Sequence, residues 1–453
     1  MTYKNVYFLG IGGIGMSALA RYFKAKGFAV AGYDRTRSIL CEELEAESIE
    51  IHYDDSVDLI PANFLQKEIT LVVYTPAIPT KHSEFQYFQQ QGFTIQKRAQ
   101  VLGEITRLER GLCIAGTHGK TTTSTMTAHL LKQSKVDCNA FLGGIAKNYT
   151  SNLLLSDKSD LVVIEADEFD RSFHHLLPYM AVITSADADH LDIYGTHEAY
   201  LESFAHFTSL IQEGGCLVMK KGIKLQPRLK QGVELYTYSA TEKADFYAEN
   251  IRVGNGELVF DFVTPNEKIC NINLGVPVLV NVENGVAAMA IAWLNGVGAE
   301  ELKAGMESFA GIRRRFETHL KTDKLTIIDD YAHHPEELLA SIKSVKALYE
   351  NKKVCGVFQP HLFTRTRDFY KDFAQALSFL DLVVLVEIYP ARELPIEGVS
   401  SKIIFDEVIC NEKILTTKKD LISVLKLQQF DVLLTIGAGD IDMYLPQIVE
   451  ALR

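Results

Sequence analysis

The chain has 453 residues, more than one hydrophobic core can organise, which predicts roughly two to four domains. Hydrophobic residues make up 47% and charged residues 23%, as in ordinary globular proteins, and the longest apolar runs are of strand length, which excludes a membrane-spanning helix. The net charge of −12 disfavours nucleic acid as the main partner, because a phosphate backbone is bound by a basic face.

The cysteines and the N-terminus indicate the compartment. The seven cysteines lie far apart without a CxxC pair, which argues against a disulfide framework and against a structural zinc site. The N-terminus, MTYKNVYFLG, passes straight into a strand pattern and lacks the n-region and h-region of a signal peptide. We therefore expect a cytoplasmic monomer or weak dimer whose partners are small molecules, not nucleic acid or membranes.

Short apolar strands alternate with helical stretches, which is typical of α/β folds with parallel sheets. The pattern opens at Asn5–Leu9 and restarts at Leu112–Ala115 and Leu325–Ile328. Residues 223–267 alternate polar and apolar side chains and predict a small antiparallel insert. We predict three α/β domains: a Rossmann-like N-terminal domain (1–108), a central P-loop ATPase-type domain with a parallel sheet and that insert (109–319), and a Rossmann-like C-terminal domain (320–453).

A first glycine-rich loop follows the first strand and precedes a helical stretch. Glycines let the backbone approach a diphosphate, which then lies at the positive end of the helix. Asp34 ends the next strand, where an acid usually accepts a ribose hydroxyl. The candidate residues of this nucleotide-diphosphate site are Gly10, Gly12, Gly13, Gly15, Asp34 and Thr75. The loop leaves open whether the ligand is NAD or a UDP-sugar.

A second loop, GTHGKTT, also lies between a strand and a helix. Its lysine can reach the β- and γ-phosphates, its backbone N–H groups can surround the oxygens, and the hydroxyl of Thr121 can bind Mg²⁺. Ile114 stands where the usual pattern has glycine, so the loop is a variant, and ATP is the favoured ligand. The candidate ATP-binding residues here are Gly116, Thr117, His118, Gly119, Lys120, Thr121 and Thr122. Two phosphate loops favour group transfer between two bound substrates over hydride transfer.

Acidic residues follow the strands of the central segment. Glu165 ends the strand LVVIE, at the place where P-loop enzymes hold Mg²⁺. For Asp167 and Glu168 a surface acidic cluster is an equally good interpretation. His190 follows the next strand and lies among acids, which makes it a candidate ligand of a second metal ion, although Mg²⁺ prefers oxygen.

These features and several further motifs together resemble the Mur ligase family over essentially the whole chain. The motifs are GIGGIGMSALA (Gly10–Ala20), GTHGKTTT (Gly116–Thr123), EADEFD (Glu165–Asp170), ADHLD (Ala188–Asp192), DDYAHHP (Asp329–Pro335), QPHLFTRTRD (Gln359–Asp368) and YPARELP (Tyr389–Pro395). The resemblance implies that the first domain binds a UDP-sugar, the second binds ATP with Mg²⁺, and the third closes over both. It also implies a reaction in which the lactoyl carboxylate of UDP-N-acetylmuramate becomes an acyl phosphate that the amine of L-alanine then attacks.

The resemblance also implies roles for individual residues. Lys120, His190 and Arg314 would be catalytic, with Thr121, Glu165 and His190 as the metal ligands. Asn284 matches the asparagine that contacts adenine, and Asp330 would meet the nucleotide from the third domain. The residues that match those around the incoming amino acid are Tyr331, His333, His361 and Arg365.

Four positions depart from the family pattern. Phe204 replaces a lysine that many members carbamylate, and the alanine-adding branch is expected to lack this lysine. Val280, Ser185 and Leu362 replace a histidine, an asparagine and an arginine, respectively. The main alternative function is a ligase that recycles a preformed tripeptide onto the same UDP-sugar. Two more distant alternatives are a nicotinamide-dependent dehydrogenase and a non-catalytic nucleotide sensor.

Overall fold

The computed structural model describes residues 3–254, 256–391 and 393–453, and the side chains at positions 191 and 192 fall outside this description. Arg392 of the YPARELP motif therefore lies outside the described residues. The architecture consists of three α/β domains, each built on its own sheet, which confirms the predicted fold class. The proposed domain boundaries near residues 108 and 319 fall just before one strand and inside another.

The first sheet is parallel, with the strand order β3-β2-β1-β4-β5. Its central strand, β1, is buried along its whole length, as the apolar run that follows Asn5 predicts. The strands are β1 (Asn5–Leu9), β2 (Ala29–Tyr33), β3 (Glu50–His52), β4 (Thr70–Tyr74) and β5 (Thr94–Lys97). The helices are α1 (Ile14–Ala25), α2 (Ile39–Ala46), α3 (Ser83–Gln90) and α4 (Arg98–Leu108).

The second sheet surrounds β6, the strand before the second loop. The strand order from one edge is β8-β7-β9-β6-β10-β11-β12, and every pair is parallel except the β7–β8 hairpin. These strands are β6 (Arg110–Ala115), β7 (Asn139–Ala146), β8 (Ser151–Leu154), β9 (Leu161–Glu165), β10 (Pro178–Ile183), β11 (Cys216–Lys220) and β12 (Glu234–Ser239). The helices are α5 (Lys120–Gln133), α6 (Leu191–Tyr194) and α7 (His197–Ser209).

The stretch predicted as an antiparallel insert contains β12, β13 (Phe246–Gly254), β14 (Glu257–Val263) and, just after it, β15 (Lys268–Asn273). β12 pairs in parallel with β11 and with the start of β13, so it extends the parallel part of the sheet. The alternating sequence pattern did not predict this orientation, because alternation reports a half-buried strand and not its direction. Two helices follow, α8 (Leu279–Leu294) and α9 (Ala299–Ser308).

The third sheet has the order β16-β17-β21-β18-β19-β20 and is parallel apart from its edge strand β16. The strands are β16 (Glu317–Lys321), β17 (Thr326–Asp330), β18 (Val354–Phe358), β19 (Leu382–Leu385), β20 (Glu412–Leu415) and β21 (Val432–Ile436). The helices are α10 (Pro335–Leu348), α11 (Phe363–Leu377), α12 (Ser401–Glu407), α13 (Leu421–Lys426) and α14 (Leu445–Leu452).

Contacts divide the chain into two units. The first holds the residues up to Tyr247 together with Val263–Lys268 and Asn284–Gly305, and therefore contains both glycine loops. The second holds Ala248–Phe262, Ile269–Glu283 and Met306–Arg453. Across the described stretches of both units, no helix combines the length and the apolar character needed to cross a bilayer.

Candidate active site

The first glycine loop lies where the strand order of the first sheet reverses. β1 pairs with β2 on one side and with β4 on the other, so the loops after β1 and β4 meet at the carboxyl edge. Gly10 has φ +86°, and a Cβ on it would lie 2.7 Å from Cγ2 of Thr75. The fold therefore brings Thr75 to the glycine loop, as expected for a candidate residue of the same site.

Asp34 stabilises the conformation of the first loop. Its Oδ2 accepts a hydrogen bond from the N–H of Gly12 at 2.8 Å, and its Oδ1 accepts one from the N–H of Thr36 at 3.0 Å. A carboxylate with both oxygens bonded to backbone donors is held in place. The predicted contact of Asp34 with a ribose hydroxyl stays a prediction, and its contact with the loop is an additional role.

The second loop needs glycine at two positions. Gly116 has φ +145°, and a Cβ on it would lie 2.0 Å from Oγ1 of Thr184. Gly119 has φ +81°, and a Cβ on it would lie 2.7 Å from Oδ1 of Asn284. Both backbone conformations are unfavourable for other residues. The loop is thus packed so closely against Thr184 and Asn284 that a larger residue at either glycine would displace these side chains.

Residues just after β10 hold the second loop from one side. Thr184 donates its hydroxyl proton to the carbonyl oxygen of His118 at 2.5 Å, and the N–H of His118 donates to Oγ of Ser185 at 2.8 Å. The hydroxyl of Thr117 donates to the carbonyl oxygen of Asp187 at 2.9 Å. Ser185, a departure from the family pattern, therefore supplies an oxygen that bonds the loop backbone.

Lys120 begins α5, and its ammonium group turns back over the loop. Nζ donates to the carbonyl oxygen of Gly116 at 2.6 Å and lies 2.8 Å from both carboxylate oxygens of Glu168. Burial opposes the charge on the ammonium, but the carboxylates of Glu168, Glu165 and Asp167 outweigh burial and raise the pKa of Lys120. Lys120 is therefore fully charged at neutral pH and directed at the space where the loop would hold phosphate.

Glu168 was missed as a site residue. The interpretation of Glu168 as part of a surface acidic cluster is wrong, since only 1% of the residue is exposed and its carboxylate is the partner of Lys120. Asp167 differs, because its side chain is 38% exposed and pairs with Arg98 at 3.2 Å. The signal was present in the EADEFD motif, but the sequence does not show which of its acids is buried.

Glu165 and His190 lie before and after Glu168 in the sequence. Glu165 ends β9, and a Cβ on Gly143 of β7 would lie 2.1 Å from its Oε2, so the carboxylate packs directly against the neighbouring strand. His190 has φ +51°, and its Nε2 lies 3.8 Å from Oε1 of Glu168. Lys120 and His190 are thus both brought to the carboxylate of Glu168.

In the described part of the chain, no group of three or more histidine, cysteine, aspartate or glutamate side chains is arranged to hold a metal ion. The candidate ligands Thr121 and Glu165 are both oxygen donors, the type that Mg²⁺ prefers, and Mg²⁺ commonly takes its remaining ligands from phosphates and water. The chemistry of this donor pair fits a magnesium ion that arrives with a nucleotide.

Asn284 lies against the second loop. Its side chain is buried, and Oδ1 accepts a hydrogen bond from the hydroxyl of Thr123 at 3.2 Å. The structure therefore brings Asn284 to the start of α5, in the same site as Gly119. Its predicted contact with adenine stays a prediction.

Arg314, by contrast, is anchored in the second unit. Its Nη2 donates to the carbonyl oxygens of Gly437 and Gly439 at 2.8 and 3.1 Å, and its guanidinium lies 4.9 Å from the ring centre of Tyr331. Asp330 ends β17, where its Oδ1 accepts the N–H of Phe316 at 3.2 Å, and burial raises its pKa. Arg314 and Asp330 thus belong to one edge of the third sheet.

The four candidate amino-acid-binding residues form one cluster at the same edge. The rings of Tyr331 and His333 lie 5.3 Å apart, and those of His333 and His361 lie 6.0 Å apart. Burial, followed by the nearby His333 and Arg365, lowers the pKa of His361 to about 4, so this imidazole is neutral at pH 7. Tyr389, which stacks on His361 at 5.8 Å, was not predicted as a member of the cluster.

Arg365 is the cation of this cluster. It lies in the first turn of α11, and its Nη1 is buried without a hydrogen-bond partner among the described residues. A buried guanidinium donor without a partner is unfavourable unless an anion accepts its hydrogen bond. Arg365 therefore provides a ready site for a carboxylate.

A cavity of about 120 Å³, here called the loop cavity, lies between the first two sheets. On one side the cavity is lined by residues of α1 and α4, which flank the first sheet. On the other side it is lined by residues of β7, β9 and the turn after β9 in the second sheet. Its lining is formed by Ile14, Gly15, Ala18, Arg98, Leu102, Phe141, Leu142, Gly143, Ile164, Glu165 and Asp167. The loop cavity is thus lined both by the start of α1, which follows the first glycine loop, and by Glu165 and Asp167, which follow the central strand β9.

Three family models match the chain in sequence order. They are the Mur ligase family, catalytic domain, at residues 5–110, the Mur ligase middle domain at residues 114–292, and the Mur ligase, glutamate ligase domain, at residues 314–439. Their limits agree with the division into three sheets.

Relatives match over almost their whole length. The chain is 65% identical to a UDP-N-acetylmuramate–L-alanine ligase of Parabacteroides distasonis, with 99% of this chain and 97% of the relative covered. It is 62% identical to the protein of the same name from Phocaeicola vulgatus, with 100% and 99% covered. The solved structure of the UDP-N-acetylmuramate–alanine ligase from Thermotoga maritima superposes with a TM-score of 0.84 at 27% identity, with 99% of both chains covered. A murein peptide ligase from Psychrobacter arcticus, at 22% identity and a TM-score of 0.68, has the same fold.

Proposed function

The chain belongs to the Mur ligase family, and on this premise we propose that it joins the lactoyl carboxylate of UDP-N-acetylmuramate to the amine of L-alanine at the expense of ATP. The reaction passes through an acyl phosphate and supplies a precursor of peptidoglycan. We also propose that it takes place in the cytoplasm, where ATP and nucleotide sugars are made.

One observation supports this proposal above the others: residues next to both phosphate-type loops line a single cavity of the first unit. Gly15, next to the first loop, and Glu165, beside Lys120, line one loop cavity. A ligase that activates a carboxylate must bring that carboxylate to the γ-phosphate of ATP. A dehydrogenase needs a single dinucleotide site and leaves the Lys120 loop without a role.

The charges in the first unit suit this chemistry. Carboxylate and triphosphate are both anionic, so cations must offset their repulsion as they approach. The ammonium of Lys120 would leave Glu168 for the phosphates, and the backbone N–H groups from Gly116 to Thr122 would bind their oxygens. Thr121 and Glu165 would hold Mg²⁺, which supplies charge neutralisation at the phosphates when it is bound. His190, beside Glu168, would assist at a second ion.

The amino acid would bind to the cluster in the second unit. Arg365 would pair with the carboxylate of L-alanine, and the rings of Tyr331, His333 and His361 would enclose its small side chain. His361 is neutral at pH 7 and therefore does not repel the incoming ammonium group of L-alanine, which must lose a proton before its amine attacks. Arg314 and Asp330 would contact the nucleotide from the same edge of the third sheet.

The tripeptide-recycling ligase is the nearest competing function, because it uses the same UDP-sugar. The test is to measure phosphate release by the purified protein with ATP, Mg²⁺, UDP-N-acetylmuramate and either L-alanine or a tripeptide. We expect release with L-alanine and little with the tripeptide. Release with the tripeptide alone would overturn the proposal, and binding of NAD(P)H without any triphosphate binding would favour the dehydrogenase instead.

A further inference from the structure

Arg98 lies in the wall of the loop cavity, against Gly15 at the start of α1. It is the first residue of α4, its side chain is 25% exposed, and it lines the loop cavity. Within the described lining it is the only cation, whereas Glu165 and Asp167 are both acids.

The guanidinium of Arg98 packs against the backbone of Gly15, in space that a side chain at position 15 would fill. A Cβ on Gly15 would lie 2.1 Å from Nη1 of Arg98 and 3.0 Å from its Cζ. Any larger residue at position 15 would therefore push the guanidinium away. Gly15, predicted as a phosphate-loop glycine, thus also allows Arg98 to lie against the start of α1.

The present partner of Arg98 can be exchanged. Its Nη2 donates to Oδ2 of Asp167 at 3.2 Å, and the Asp167 side chain is 38% exposed. An arginine has five N–H donors and binds a carboxylate best through two parallel hydrogen bonds. The neighbouring cation, Lys97, is paired more closely, with its Nζ 2.7 Å from Oδ2 of Asp170. Arg98 therefore has further N–H donors for a second anion, and its partly exposed pair with Asp167 costs little to break.

An anionic substrate group needs such a cation here. A carboxylate that approaches through the loop cavity passes Glu165 and Asp167, which both line it. Without a cation, this approach would be repulsive. We propose that Arg98 binds the lactoyl carboxylate of the UDP-sugar and holds it at the loop cavity beside the ATP loop. The proposal rests on the function proposed above.

Calorimetric binding to two ligands tests this role. UDP-N-acetylmuramate carries the lactoyl carboxylate, and UDP-N-acetylglucosamine has the same diphosphate and sugar without it. For Arg98→Ala we expect affinity for the first ligand to fall roughly tenfold or more, and affinity for the second to change less than about twofold. Arg98→Lys, which keeps the charge without the planar fork, should lose several-fold of its affinity for UDP-N-acetylmuramate.

Arg107→Ala is the matched control, because Arg107 is an exposed arginine on the same helix. It should leave both affinities unchanged, and KM for ATP should stay unchanged in every variant. An equal loss of affinity for both ligands in Arg98→Ala would overturn the proposal, since Arg98 would then contact the diphosphate or stabilise the fold. Unchanged binding of UDP-N-acetylmuramate would also overturn it. A wild-type protein that binds neither ligand would instead refute the proposed function itself.

Discussion

Lys120 and Glu168 form a buried ion pair in which each charge depends on the other. Their side chains are 15% and 2% exposed, and Nζ lies 2.8 Å from the carboxylate. Removal of one partner from such a pair leaves an uncompensated buried charge and typically costs about 3–5 kcal/mol. We therefore expect Lys120→Ala to lower the free energy of unfolding of the first unit by about 3 kcal/mol, in addition to its effect on catalysis.

A second substitution separates the two effects. In Lys120→Ala/Glu168→Gln the buried carboxylate becomes a neutral amide, so stability should return to within about 1–2 kcal/mol of the wild type. The remaining loss reflects the hydrogen bonds from Nζ to Gly116 and Thr117. Turnover should not return, because loss of a key electrostatic contact to the phosphates lowers it by about a hundredfold or more in both variants.

Urea unfolding measures the stability, and phosphate release with UDP-N-acetylmuramate and L-alanine measures the turnover. The control is Arg228→Ala. Arg228 lies 2.6 Å from its partner Glu202, but both side chains are 57% exposed, so the free energy of unfolding should change by less than about 1 kcal/mol. A double variant as unstable as the single one would refute the ion-pair explanation. Near-normal turnover in either variant would contradict the assignment of the ATP loop.

Three further predictions address other parts of the molecule. Gly116→Ala places a Cβ 2.0 Å from Oγ1 of Thr184 at a backbone φ of +145°, so ATP binding, measured by calorimetry, should weaken by roughly tenfold or more. Arg365→Ala should raise KM for L-alanine by about 10- to 100-fold and leave KM for ATP unchanged, whereas Arg367→Ala, on the exposed face of the same helix, should change neither. Burial raises the pKa of Glu84 to about 7, above the unfolded value of 4.5, so the folded state holds its proton more tightly and stability should fall by on the order of 3 kcal/mol as pH rises from 4.5 to 7. Urea unfolding at several pH values should show this fall in the wild type and not in Glu84→Gln.

The sheets could be predicted because of how parallel strands are buried. Apart from Asn5 and Glu165 at strand ends, β1, β9 and β18 read as continuous apolar runs, since helices or loops cover both faces of such strands. The exact start of α5 at Lys120 was not predictable, because GTHGKTT does not show where its loop ends and its helix begins. The direction of β12 was not predictable, since parallel and antiparallel partners impose the same alternation on a half-buried strand.

The candidate site was predicted in part. Lys120 and the glycines carry local signals, because a phosphate loop is one continuous segment. Glu168 and Arg98 lie 48 and 69 positions away from the residues they pair with, Lys120 and Asp167 respectively, so only the folded chain shows these contacts. Asp34 illustrates the same limit. Its position after β2 predicts a polar contact, but its bond to the N–H of Gly12 depends on how the first loop turns.

The central claim is that the carboxylate of the sugar acid is activated by direct transfer of the γ-phosphoryl group of ATP. Labelling both oxygens of the lactoyl carboxylate with ¹⁸O and analysing the released phosphate by mass spectrometry tests this claim most directly. An acyl phosphate predicts that one labelled oxygen appears in each phosphate, because the C–O bond to the transferred oxygen breaks when the amine of L-alanine attacks. Unlabelled phosphate, with the amide product still formed, would contradict the account.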